Sequence, residues 1–171
     1  MQTPNNSHDK ATHKAILSAA RSWHAPQIVS SIQKNFNLSD NEAQQLFADV
    51  KLFLCLSKFN AQLFKTPLKP SKIIDVGWHE FLMFTIDYRM FCFEVLGAFI
   101  DHVPETDSPD IAVAKNASEF AKTYLPQLSA NWSEVESDCQ SCWGQPDHDE
   151  TGECSSKVFS DLNLNTFSIH I

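Results

Sequence analysis

Through the first 130 residues, apolar side chains recur three or four positions apart, the period of a helix with one face buried. Ala15, Ile16, Ala19, Ala20 and Trp23 predict a first helix over 12–23. Pro26 suits the opening turn of a second, whose Ile28, Val29, Ile32 and Phe36 form a stripe. The third has the clearest start, because Ser39 followed three residues later by Glu42 makes a capping box. Its apolar set is Ala43, Leu46, Phe47, Val50, Phe53, Leu54, Leu56, Phe59 and Leu63. Its upper half is apolar nearly all round, which predicts the central helix of the core. Pro67 and Pro70 interrupt the pattern. A fourth helix follows, capped by Asp75 or Ser71 and running to Leu96, with Gly97 placed to end it in a left-handed turn. Ser108, Pro109 and Asp110 read as the start of a fifth, carrying Ile111, Val113, Ala114, Ala117, Phe120, Ala121 and Tyr124 as far as Pro126.

The expected fold is all-α, a single domain of about five helices over 12–130, behind a disordered, polar N-terminus at 1–11. The pattern then changes twice. Residues 131–156 carry seven acids, three Cys and one His but no Lys or Arg, and read as an irregular Cys/His extension. In the tail, 157–171, Phe167, Ile169 and Ile171 alternate with Ser168 and His170, the period of a strand. Residues 165–171 are expected to pack into a groove of their own domain, with contact to a protein partner as the alternative.

Composition narrows the function classes. Thirteen Phe supply a substantial core, and only four Gly argue against a turn-dense sandwich or barrel. A net charge of −8 disfavours nucleic acid and anionic membranes as partners. No apolar run reaches the length of a membrane span, and the first twelve residues lack the apolar stretch of a signal peptide. With an odd count of five Cys, the expectation is a cytoplasmic protein whose thiols stay reduced or bind metal.

Two constellations carry chemistry. Asp75 and His79 are one helical turn apart, so the carboxylate can orient the imidazole or both can ligate one ion. His102 follows the Gly97 turn closely enough to return beside them, giving a two-His, one-carboxylate set suited to zinc or iron; Tyr88 is a further catalytic candidate on the same stretch. The plainer alternative makes Asp75 an N-cap and His79 and Tyr88 hydrogen-bonded core polars. The second constellation is Cys139-x2-Cys142-x5-His148-x5-Cys154, four N/S ligands fit for structural Zn²⁺. A redox dithiol at Cys139 and Cys142, or an acidic linker with incidental cysteines, are its alternatives. Two functions follow: an interaction or accessory protein with a metal-binding element, or a metal-dependent enzyme built on Asp75, His79 and His102.

The string D-V-G-W-H-E-F-L-M-F-T-I-D-Y-R-M-F-C, with G-A-F-I-D-H-V-P downstream, resembles the signature of bacterial glycine-rich-domain-containing-protein-like proteins. The matching positions are Asp75, Trp78, His79, Phe81, Thr85, Tyr88, Phe91, Cys92, His102 and Pro104. The resemblance implies a helical domain and often a Cys-bearing C-terminus, but no particular activity.

Overall fold

The computed structural model describes residues 8–64, 67–102 and 115–133, and there the protein is all-α. Helix α1 spans His8–Ser22, α2 Pro26–Phe36 and α3 Asp40–Leu63. A two-residue strand β1, Leu68–Lys69, precedes α4 (Lys72–Met83) and α5 (Thr85–Phe91), and a π-helical turn runs over Cys92–Leu96. Strand β2 (Lys115–Asn116) leads into α6 (Ala117–Ala121), and a 3-10 turn spans Ala130–Trp132. β1 and β2 pair in parallel, Leu68 with Lys115 and Lys69 with Asn116.

Helix α3 is the axis of the fold and packs against α1, α2, α4 and α6. Its capping box forms as the Ser39–Glu42 spacing predicts: the Glu42 backbone N–H donates to Ser39 Oγ, and the Ser39 N–H donates to the Glu42 carboxylate at 2.8 Å. Leu46, Phe47, Val50, Phe53, Leu54, Leu56 and Phe59 are all buried, whereas Leu63 at the end of the predicted set is exposed. Pro26 opens α2 as expected, and Ile28, Ile32 and Phe36 face the core.

In α1 the phase differs from the predicted stripe. The helix starts at His8, ahead of the predicted 12, and Leu17 and Ala20 are its buried residues while Ala15 and Ala19 face outward. His13 explains the offset: its ring stacks on Phe59 at 3.9 Å and meets Tyr124 edge-on at 5.5 Å, so a residue that reads as polar surface belongs to the inner face.

Asp49, Glu80 and Lys51, buried with this core, are each hydrogen-bonded. Asp49, in the middle of α3, gathers donors from the segment 129–132. Glu80 on α4 accepts from Ser31 Oγ at 2.5 Å and Asn35 Nδ2 at 3.1 Å, which ties α4 to α2. Lys51 donates to the Trp23 carbonyl at 2.6 Å, just past the end of α1.

Helices α3 and α4 touch closely at Gly77. A Cβ there would lie 2.8 Å from Val50 Cγ2 and 3.1 Å from Leu46 Cγ, closer than the packed side chains allow. Gly77→Ala is therefore expected to lower the free energy of unfolding by about 1–3 kcal/mol, despite the better helix propensity of alanine. Urea denaturation measures this, and an unmoved midpoint would mean the two helices separate at no cost.

The largest departure from the predicted elements is the break at Phe84. The sequence predicts one helix to Leu96; instead α4 ends at Met83 and α5 begins at Thr85, with Phe84 at φ −91°, ψ 64°. Trp78 and Tyr88 show why. Ten residues apart, they would sit about 15 Å apart along a straight helix, yet Trp78 Nε1 donates to Tyr88 Oη at 3.2 Å. The break lets α5 fold back so that Tyr88 and Phe91 bury against Phe81. At the far end the reading holds: Gly97 adopts φ 66° and its N–H donates to the Cys92 carbonyl. Likewise Ser71, not Asp75, caps α4, its Oγ accepting from the Ile74 N–H at 3.3 Å.

The predicted fifth-helix start at Ser108, Pro109 and Asp110 lies outside the described residues. Where that helix was expected to continue, Lys115 and Asn116 form β2 instead, and Asn116 Oδ1 caps the shorter α6 by accepting from the Ser118 N–H at 2.8 Å. The pairing with β1 holds these two residues extended, overriding the helical spacing of the apolar positions around them.

Candidate metal centre

Helix α4 and the loop after Gly97 bring together the three groups that the sequence singled out. Freed from capping, Asp75 sits in the first turn of α4, where its negative charge suits the positive end of the helix dipole. One turn on, His79 places Nδ1 2.8 Å from the Asp75 carbonyl oxygen and 3.4 Å from Asp75 Oδ2. When Nδ1–H donates to that carbonyl, the other ring nitrogen, Nε2, keeps a lone pair for an ion. His102 arrives from the loop with Nε2 3.1 Å from Asp75 Oδ1. One ligating atom from each residue lies within 4.8 Å of the others. The side chain of Asp75 is 38% exposed, that of His79 46% and that of His102 13%, so the group opens to solvent on the His79 side.

Apolar and aromatic groups hold the third ligand. The His102 ring meets Trp78 edge-on at 4.4 Å and His79 at 4.2 Å. Trp78 is itself buried against Phe53 of α3, so the wall behind His102 is part of the core. Tyr88, named in the sequence reading as a catalytic candidate, is 2% exposed. Its hydroxyl donates to the Ile100 carbonyl at 2.6 Å and accepts from Trp78. Burial pushes its phenol well above the ordinary tyrosine range, so it stays protonated and serves here as a hydrogen-bonded strut. Cys92, the first residue of the π-helical turn, is buried and its thiol is likewise pushed up by burial. Cys55 lies within α3, its thiol pushed up to about 12 for the same reason.

The second constellation, Cys139, Cys142, His148 and Cys154, lies outside the described residues, as does the tail 165–171. Sequence reasoning missed the part that Trp78 and the Ile100 carbonyl play beside His102. The adjacency of Trp78 to His79 was visible as a signal; a backbone carbonyl in a loop carries none.

The described protein is thus an all-α domain with an Asp/His/His cluster on the rim of its core. A family model matches residues 12–119, well over half the chain, and the protein belongs to the UCP032817-like family. That match corrects the resemblance drawn from the W-H-x-F motif: the family is not the glycine-rich-domain-containing one, and the two are different families. No curated protein and no solved structure matches the chain.

Proposed function

We propose that the protein binds a divalent transition-metal ion, Zn²⁺ or Fe²⁺, on Asp75, His79 and His102, and that this centre is of the open type used for catalysis. The convergence of the three ligands, two from one helix turn and one from a loop 27 residues distant, carries the reading. Two imidazoles and a carboxylate suit both ions, and three protein ligands leave positions for water and a substrate. The ion would act there as a Lewis acid, polarising a bound oxygen or activating water. The exposed side of His79 supports access from solvent. Binding requires neutral imidazoles, so affinity falls as the solution is made acid. An odd cysteine count supports a cytoplasmic location for such a protein.

The competing assignment places the metal on Cys139, Cys142, His148 and Cys154, as a structural zinc in an interaction or accessory protein. Metal content of the purified full chain separates the two. His79→Ala is expected to lose the ion while Cys142→Ala retains it. Loss only in Cys142→Ala would transfer the metal to the cysteine segment, and wild-type protein that takes up neither Zn²⁺ nor Fe²⁺ would end both assignments.

A further inference from the structure

We infer that Tyr88 is the positioning residue of this centre: it fastens the loop that carries His102, so the third ligand is in place before an ion arrives. The inference rests on the metal-binding reading above. Asp75 and His79 are oriented by α4 itself, whereas His102 stands on a stretch outside any helix, five residues past Gly97. A ligand on an untethered loop must be ordered at the moment of binding, and the lost freedom subtracts from affinity. Here the ordering is done in advance. Tyr88 Oη donates to the carbonyl of Ile100, two residues before His102, at 2.6 Å. The same oxygen accepts from Nε1 of Trp78, the residue before His79, at 3.2 Å. One phenol therefore joins the helix that bears two ligands to the loop that bears the third, using both its donor and an acceptor site.

The ring of Tyr88 is held edge-on by Phe81 at 5.1 Å and by Phe99 at 5.4 Å, so the hydroxyl has little freedom to swing away. Removing that oxygen leaves the Trp78 N–H and the Ile100 carbonyl without this partner, and the loop keeps only the contact of the Ile100 backbone with Cys92 on this side. The ligand atoms themselves are untouched.

The test is a Co²⁺ titration of the full chain, followed by its visible absorption, with Cys139, Cys142 and Cys154 replaced by serine to silence the second constellation. Tyr88→Phe is expected to weaken Co²⁺ binding by about 10- to 100-fold, the usual cost of losing a group that orients a ligand. In a His102→Ala background, the same Tyr88→Phe change is expected to alter the remaining affinity by less than about twofold, because the ligand it positions is gone. Equal losses in both backgrounds would make Tyr88 a purely structural residue and overturn the inference. Equal affinity of the parent and Tyr88→Phe would overturn it while leaving the metal centre standing. A parent that binds no Co²⁺ would bring down the metal-binding reading and this inference together. Should Tyr88→Phe fail to fold, Trp78→Phe keeps the phenol and withdraws its indole donor, together with part of the aromatic wall beside His102. That variant is expected to weaken binding by about 3- to 10-fold, and unchanged affinity would count against the strut.

Discussion

Replacing Asp49 with alanine is expected to lower the free energy of unfolding by about 3–5 kcal/mol, because several buried donors lose their acceptor at once, at about 1–3 kcal/mol each. Asp49 is 2% exposed in the middle of α3. Its Oδ2 accepts from Ser129 Oγ at 2.6 Å and Asn131 Nδ2 at 2.9 Å, its Oδ1 accepts from Trp132 Nε1 at 2.9 Å, and Gln45 Nε2 lies 3.2 Å from both oxygens. Alanine leaves the buried Trp132 indole N–H facing a void. Asp49→Asn keeps the volume but turns one acceptor into a donor aimed at other donors, so an intermediate loss of about 2 kcal/mol is expected. Urea unfolding at neutral pH measures both. A loss under about 1 kcal/mol in the alanine variant would mean the segment 129–132 is held to α3 by something other than this carboxylate.

Lys51 should make stability rise with pH in a range where most proteins weaken. It is 5% exposed, donates to the Trp23 carbonyl at 2.6 Å and lies 5.0 Å from the Phe47 ring centroid. Burial lowers its ammonium from 10.5 to about 8 in the folded protein. Below pH 8 both states are charged at this position, and the folded state bears the cost of an ammonium in the core. Between about pH 8 and 10.5 the unfolded chain holds a proton that the folded one has released, so stability climbs with pH, by about 2–3 kcal/mol in all. Lys51→Met lacks this gain. Thiols of the unfolded chain ionise in the same range while burial keeps folded Cys55 protonated up to about 12, so the quantity to follow is the stability of the wild type minus that of Lys51→Met. It should increase by about 2–3 kcal/mol from pH 7.5 to pH 10.5; a flat difference would show that the ammonium is no more costly folded than unfolded.

Features set by neighbouring residues were legible in the sequence. Ser39 and Glu42 announced the start of α3, Pro26 that of α2, and Gly97 the end of the π-helical turn, because each acts within a few residues of itself. The i, i+4 relation of Asp75 and His79 was equally plain, and the Gly97 turn made the return of His102 foreseeable. What the sequence hid depends on tertiary partners. Phe81, Leu82, Thr85 and Tyr88 keep helical spacing across the break at Phe84, and only the Trp78–Tyr88 bond reveals why the helix must turn there. His13 reads as surface until Phe59 is seen beneath its ring. Asp49 left one mark, an acid inside the most apolar helix, but its donors lie 80 or more residues away.

The break at Phe84 also bears on how much chain must be closed to assemble the centre. By letting α5 fold back it closes the cluster and its strut within residues 75–102, the longest separation, Asp75 to His102, being 27 residues. Contacts this near in sequence close small loops, whereas the segment 129–132 meets α3 across more than 80 residues. Sequence separation alone thus gives the ligand geometry a smaller loop-closure cost than the docking of the segment 129–132 on α3.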